Sequence, residues 1–144
     1  MLYVFEFELV EECDGWVVSY PFDFDGATQG FGIAEASEMS ADWLKTVLEY
    51  RLMAGEAIPD ATLGNEPKRG GRVLLVAVDA SLETADTVSA KEAAEMLGVT
   101  KGRVSQLLKA GKLLGYRSGR DVFVTRASVN ARLEGSSKRE LANA

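Results

Sequence analysis

The stretch SAKEAAEMLGVTKGRVSQLLKAGKL, residues 89–113, decides the fold of the C-terminal third of the chain. Ser89 and Glu92 have the spacing of a capping box, in which each side chain bonds the backbone N–H of the other residue. A helix is therefore predicted to begin after Ser89 and to run to about Leu97. Gly98 follows directly and suits the positive φ of a tight turn.

A second helix is predicted from Lys101 to about Ala110, because Thr100 is placed to cap its start and Gly111 to end it. Two helices joined by a sharp turn need a small residue where they approach, a glycine in the turn and apolar residues between them. The chain has these at Ala94, Gly98, Val104 and Leu107. We interpret the pair as a helix-turn-helix, with a plain hairpin of two helices as the alternative.

Two β-rich segments follow the helix pair. Lys112–Arg117 and Val122–Thr125 flank a turn at Ser118–Asp121, a pattern typical of a β-hairpin wing. Ser128 is placed to cap a last short helix, Val129–Leu133.

With this wing, residues 88–133 resemble the excisionase-type and MerR-like winged helix-turn-helix family. Residues 89–113 match its helix pair, and GYRSGRDVFVTRASVNARL, residues 115–133, matches its wing and closing helix. The resemblance implies a domain that binds operator DNA.

The polar residues of the second helix and the wing are the predicted DNA-binding site. If Val104, Leu107 and Leu108 face inward, the helix exposes cations for phosphates and side chains that read base edges. The wing tip suits the DNA backbone or minor groove. For any one of these cations, a solvated surface residue is as good an explanation as a DNA contact. The cations cluster on one motif, however, and this clustering favours DNA contact. The predicted contact residues are Thr100, Lys101, Arg103, Ser105, Gln106, Lys109, Arg117, Ser118 and Arg120.

The charge of the chain changes sign along its length. Of 144 residues with a net charge of -6, residues 1–82 carry 15 acidic and 5 basic side chains, and residues 83–144 carry 7 acidic and 11 basic. This polarity suggests a polyanion as partner of the second half and a basic protein as partner of the first; ordinary surface charge is the alternative. We expect a partner-binding domain at 1–82, a linker at 83–87, the winged domain at 88–134 and a polar tail at 135–144.

The first half has the pattern of an α+β layer with the order β-β-β-α-β. Leu2–Val10 alternates like a strand, Asp14-Gly15 suits a hairpin turn, and Trp16–Tyr20 and Ala27–Phe31 are the next predicted strands. Residues 72–79 are predicted to form a central, largely buried strand after a loop at 57–71. The helix between them is expected to start near Ile33, to stop at Gly55 and to bury Ile33, Ala36, Met39, Trp43, Val47, Leu48 and Leu52.

Residues 1–60 of this half resemble the N-terminal domain of HicB-type antitoxins, a truncated RNase H-like fold. The resemblance rests on the early Asp-Gly hairpin, Pro21 before an Asp-x-Asp-Gly loop, Thr28-Gln29-Gly30, and Ile33-Ala34-Glu35-Ala36 at the helix start. It implies capture of a small basic, RNA-cleaving, HicA-like toxin. The expected contacts are an exposed strand edge or the loop residues Phe22, Asp23, Phe24 and Asp25.

The residue types present argue against an enzyme. The chain has no histidine and only Cys13 as a cysteine, which excludes Ser/His and Cys/His catalysis and the usual zinc sites. Asp23, Asp25 and Glu35 are a weak metal set, because Asp beside Gly is common in turns for backbone reasons alone. We expect no catalytic residue, metal or cofactor.

A cytoplasmic protein without a membrane segment is expected. The longest apolar run, residues 73–78, is too short to cross a bilayer, and the glutamate-rich N-terminus lacks the basic start of a signal peptide.

These patterns predict an antitoxin that sequesters a toxin and represses its own operon as a homodimer or higher homo-oligomer. The alternative is a stand-alone winged-helix regulator whose N-terminal domain dimerises or senses a ligand. A remoter alternative is a nuclease that depends on Asp23.

Overall fold

A computed structural model of the chain describes the backbone of residues 1–142 and the side chains of residues 1–136. The predicted α+β class is confirmed. The chain divides into two compact units, Met1–Thr84 and Ala85–Ala144. Within the described residues, no helix combines the length and apolar composition that crossing a membrane requires.

The first unit is an antiparallel four-stranded sheet with one helix, in the predicted order β-β-β-α-β. A short 3-10 turn at Cys13–Gly15, in which Asp14 has a φ of 63°, joins the first two strands. The sheet order is β3-β2-β1-β4. The elements are β1 (Leu2–Glu11), β2 (Trp16–Pro21), β3 (Thr28–Phe31), α1 (Gly32–Ala54) and β4 (Arg72–Asp79).

The core of the first unit lies between α1 and one face of the sheet. It contains Phe5, Phe7 and Leu9 of β1, as the alternation of that strand predicts. The buried positions of α1 are Ala36, Ser40, Leu44 and Leu48. The predicted helix face was partly wrong, because Ile33 and Met39 are exposed and Ser40 is buried.

Ser40 lies in the core because its hydroxyl is satisfied there. Ser40 Oγ lies 2.6 Å from Ser19 Oγ of β2 and 2.7 Å from the carbonyl oxygen of Ala36. A buried hydroxyl with hydrogen-bond partners does not carry the large desolvation penalty of an unpaired one. Hydrophobic periodicity therefore identified Ala36 and Leu48 correctly but missed a buried polar position of α1.

The prediction of a central position for β4 was also wrong. β4 is an edge strand paired with β1, and its burial alternates, with Val76 and Val78 in the core and Leu75 58% exposed. A short unbroken apolar run does not distinguish a strand buried on both faces from an edge strand with apolar residues on its open face.

On the sheet face opposite α1, Glu8 is buried by the loop that precedes β4. Its carboxylate accepts the N–H groups of Lys68 and Arg69 at 2.8 Å and that of Gly71 at 3.0 Å. The guanidinium of Arg69 lies 3.9 Å from the ring centre of Tyr20. Burial raises the pKa of Glu8, but the three N–H groups and the charge of Arg69 outweigh it, so the pKa is lowered.

Glu6, two residues earlier on the same face, binds the middle of this loop. Its Oε1 accepts the backbone N–H of Asn65 at 2.9 Å and the side-chain amide of Asn65 at 2.8 Å. The Asn65 backbone bond is the main cause that lowers the pKa of Glu6, against the opposing effect of burial. Two charged carboxylates thus hold an irregular segment against the sheet.

The second unit is a three-stranded sheet, of order β5-β7-β6, with three helices. Its first strand had not been predicted and includes Thr87, the last residue of the predicted linker. Its elements are β5 (Thr87–Ser89), α2 (Ala90–Leu97), α3 (Lys101–Lys109), β6 (Gly115–Ser118), β7 (Asp121–Thr125) and α4 (Arg126–Ala142).

The predictions for α4 were wrong at both ends. The hydroxyl of Thr125, rather than that of Ser128, is placed as the N-terminal cap, because it accepts the N–H of Ser128 at 3.3 Å. The helix continues to Ala142 through most of the predicted polar tail, since one Gly135 is a small penalty in an otherwise continuous helix. Residues 143–144 lie outside the described residues.

The two carboxylates predict a local dependence on pH. The pKa of Glu8 is lowered in the folded state, so its contribution to stability is present above its unfolded pKa and is lost as the pH falls through its folded pKa. Hydrogen exchange measured by NMR should therefore show falling amide protection at Lys68, Arg69 and Gly71 on acidification below about pH 4. Glu8→Gln should weaken that protection already at neutral pH. Glu66→Gln, an exposed change in the same loop, should leave the profile unaltered, and an equal effect of both variants would contradict the assignment.

Candidate nucleic-acid interface

Capping hydrogen bonds set the starts of α2 and α3. Ser89 Oγ accepts the N–H of Glu92 at 3.0 Å, and Thr100 Oγ1 accepts the N–H of Arg103 at 3.1 Å. Between the helices, Gly98 has a φ of 66°, which L-residues with a side chain rarely adopt. Both helix starts and the tight turn are confirmed as predicted.

The buried face of α3 determines which residues face solvent. Val104 and Leu107 are fully buried in a cluster that includes Ala93 and Ala94 of α2. Since α-helical residues repeat every 3.6 positions, the face opposite this contact carries Gly102, Gln106 and Lys109. The predicted inward direction of Val104 and Leu107 is confirmed.

The polar residues predicted on α3 lie at the surface, apart from Ser105, which is half-buried. Arg103 Nη1 donates to Gln106 Oε1 at 3.2 Å. This bond orients the glutamine amide so that its NH₂ group stays available as a donor. The exposed residues of the predicted set are Thr100, Lys101, Arg103, Gln106 and Lys109.

The wing is attached closely to the end of α3. The carbonyl oxygen of Leu107 accepts the N–H groups of Lys112 at 2.9 Å and of Leu113 at 3.2 Å. Gly115 passes so close to β7 that a Cβ atom there would lie 2.1 Å from the Phe123 carbonyl oxygen. The position of the wing relative to α3 is therefore determined by backbone contacts.

The tip of the wing is exposed and basic. β6 and β7 are joined through Gly119, whose φ is 62°. The predicted residues Arg117, Ser118 and Arg120 all lie at this exposed end. Behind them, the rings of Tyr116 and Phe123 stack with centroids 5.1 Å apart.

Positive charge dominates the surface formed by α3 and the wing. Between residues 101 and 125 the only acidic residue is Asp121. Within residues 1–136, the three ion pairs found involve none of the six cations of this segment. These cations are Lys101, Arg103, Lys109, Lys112, Arg117 and Arg120.

Gly102 is a candidate interface residue that sequence reasoning missed. It lies in the first turn of α3, on the exposed face, and a Cβ atom there would meet only Thr100 Oγ1, at 3.8 Å. Packing therefore does not explain a residue that weakens a helix by roughly 0.5–1 kcal/mol relative to alanine. A ligand that approaches the helix backbone would explain it, and an exposed glycine inside a predicted helix was the available signal.

The loop predicted to bind a partner is partly used by the fold. Phe24 is a core residue whose ring centre lies 4.9 Å from that of Phe5, so it is not an exposed contact residue. Asp23 accepts the N–H and the hydroxyl of Thr62, at 3.0 and 2.7 Å. Of the other two, Phe22 is half-buried and Asp25 is exposed.

Comparison with known proteins finds a similar sequence family for the second unit. The sequence family described as a helix-turn-helix domain matches residues 87–137. No curated protein sequence matches the chain. Among solved structures, a chain from the structure titled "Toxin-Antitoxin complex from Streptococcus pneumoniae" aligns with 78% of this chain and 99% of its own length. Its TM-score is 0.50 at 16% identity, a similarity of fold.

Substitutions on α3 and the wing should separate base reading from backbone binding. Arg103→Ala and Gln106→Ala should reduce discrimination between specific and random DNA by ~1–3 kcal/mol where a base contact is lost. Arg120→Ala should weaken binding to all sequences alike. Fluorescence anisotropy on upstream and scrambled DNA measures both effects, with exposed Lys91→Ala on α2 as control. Equal losses on both DNAs for all three variants would contradict the assignment of α3 as the reading helix.

Gly102→Ala should stabilise the protein and impair its binding to DNA. The free energy of unfolding should rise by at most roughly 0.5–1 kcal/mol, the value for a helix interior, since alanine is the better helix former and the site has space. DNA affinity should fall, because the added methyl group holds the helix away from the duplex. Gly135→Ala in α4 is the matched control and should leave DNA affinity unchanged. If Gly102→Ala also left DNA affinity unchanged, the DNA would not need to approach the helix backbone at Gly102.

Proposed function

We propose that this protein is an antitoxin of a type II toxin-antitoxin pair that also represses its own operon. The observation that carries the DNA-binding part is the exposed, basic and capped helix α3 beside a basic wing, in a segment that matches a helix-turn-helix family. Such a helix enters the major groove, and Gln106 supplies amide groups that read base edges there.

The toxin-binding part is supported by fold similarity and by charge. The relative with the similar fold comes from a toxin-antitoxin complex. Residues 1–82 carry 15 acidic and 5 basic side chains, and opposite charges on two proteins speed their association. We propose a HicB-type antitoxin with a truncated RNase H-like first unit, and a small basic, RNA-cleaving, HicA-like toxin as its partner.

Repression is proposed to require two copies of the chain. One winged module makes only a small specific contact with DNA. Two modules bound to two DNA half-sites about 34 Å apart enlarge this contact area. Operator DNA with two related half-sites is therefore the expected target of a homodimer or higher homo-oligomer.

A binding function without catalysis is proposed for the first unit. Asp23 and Glu35, two of the carboxylates that a nuclease would need, are engaged in the fold, by Thr62 and by the Phe31 N–H respectively. Among the described residues, no group of three metal-binding side chains is found.

Co-expression with the adjacent genes tests this function. A small basic protein encoded beside this chain should arrest growth when expressed alone and should copurify with the chain when both are expressed. A variant with Arg103→Ala and Arg120→Ala should still relieve growth arrest but should release a reporter placed behind the upstream promoter. If the neighbour is harmless and unbound while the reporter is repressed, the chain is instead a stand-alone regulator.

A further inference from the structure

Two exposed aromatic side chains stand side by side at one end of the first unit's sheet. Trp16 and Phe31 are the terminal register pair of β2 and β3, and their rings meet edge to face with centroids 5.8 Å apart. Trp16 is 45% exposed and Phe31 is 61% exposed. We call this pair the aromatic patch.

The aromatic patch lies outside the core because of strand alternation. The neighbouring register pair, Val17 and Gly30, faces α1, and a Cβ atom at Gly30 would lie 2.4 Å from the backbone nitrogen of Ala36. Trp16 and Phe31 therefore lie on the opposite face of the sheet. On that face, the loop before β4 covers Glu8 rather than the aromatic patch.

Local contacts fix the backbone at Trp16 and Phe31 and restrict the Phe31 ring. The backbone N–H of Phe31 donates to Glu35 Oε2 at 2.6 Å. The Phe31 ring lies over Gly15, where a Cβ atom would come within 2.9 Å of it. The carbonyl oxygen of Trp16 accepts the N–H of Glu12 at 2.8 Å. The Phe31 ring therefore contacts both Gly15 and the Trp16 ring before a partner binds, and contacts that restrict a side chain in advance lower the entropic cost of binding.

The part of the chain that carries the aromatic patch is acidic. Residues 1–44, which form β1, β2, β3 and the first half of α1, contain ten acidic residues and no lysine or arginine. Three exposed carboxylates lie within four residues of the two rings in the sequence. Glu12 and Asp14 precede Trp16, and Glu35 follows Phe31. The one positive charge of this segment, the N-terminal ammonium of Met1, pairs with Asp79 at 2.8 Å.

Exposed aromatic faces beside carboxylates fit arginine. A guanidinium stacks on aromatic rings while its fork of N–H groups pairs with carboxylates. A second copy of this surface is a poor occupant, because a two-fold contact would place two acidic surfaces together. Nucleic acid is repelled by the same charge.

We propose that the aromatic patch is the docking surface for an arginine-rich face of a basic protein. The proposal rests on the antitoxin function proposed above and names the surface that captures the toxin. Trp16 and Phe31 are the central anchors, since buried aromatic residues contribute most of the binding energy in many protein interfaces. The carboxylates around them select for positive charge.

Fluorine NMR of the full chain labelled with 5-fluorotryptophan tests this surface. The chain has two tryptophans, and Trp43 is half-buried and packs against the core residues Phe7 and Phe24, so it serves as an internal reference. The probes are the small basic protein encoded by the adjacent gene and a short peptide of alternating arginine and leucine. The Trp16 signal should move on addition of either probe, and the Trp43 signal should stay.

Affinity measurements on variants give the second readout. Trp16→Ala combined with Phe31→Ala should weaken binding of the adjacent basic protein by about 30-fold, and Glu12→Lys should also weaken it. Tyr50→Ala, which removes an exposed aromatic ring elsewhere on the first unit, should leave affinity unchanged. The fluorine signal of Trp43, which packs against Phe7 and Phe24 of the first unit, should be unchanged in all variants, which shows that this unit remains folded.

The outcomes distinguish the docking surface from the antitoxin function. If the wild-type chain binds the basic protein and the variants bind it equally well, the docking surface is wrong and the function stands. If only the peptide binds, and it moves the Trp16 signal, the proposed docking surface is supported and the proposal of a toxin partner is wrong. If the wild-type chain binds neither probe, both proposals are overturned.

Discussion

The burial of Val104 and Leu107 is the constraint on which the second unit depends. These two side chains set the rotation of α3 about its own axis, and therefore decide that Gly102, Gln106 and Lys109 face outward. The carbonyl oxygen of Leu107 also binds two N–H groups of the segment that leads into the wing. One core contact thus positions both the helix and the wing, and with them every cation of the interface.

The features of this interface that sequence predicts best are local ones. The caps at Ser89 and Thr100 and the turn at Gly98 depend on interactions within a few residues, so the residue types at those positions are sufficient to identify them. The exposed positions of α3 then follow from helical periodicity, once Val104 and Leu107 are assigned to the core.

The features that sequence missed depend on contacts between distant segments. β4 is an edge strand because β3 pairs with β2 and not with the free side of β4, which the apolar run of β4 does not indicate. Ser40 is buried because Ser19 of another strand is its partner, and Glu8 is buried because a loop 60 residues later supplies N–H groups. The aromatic patch was missed for the same reason, since Trp16 and Phe31 become neighbours only when β2 and β3 pair.

The division of the chain into an acidic unit and a basic helix-turn-helix unit predicts that one protein binds DNA and a basic protein through different surfaces. Analytical ultracentrifugation with fluorescently labelled upstream DNA, the full chain and the adjacent basic protein measures this most directly. A single sedimenting species that contains all three components is the predicted result. Displacement of the DNA in proportion to the basic protein bound would mean that the two compete for one surface, and would contradict this division of function.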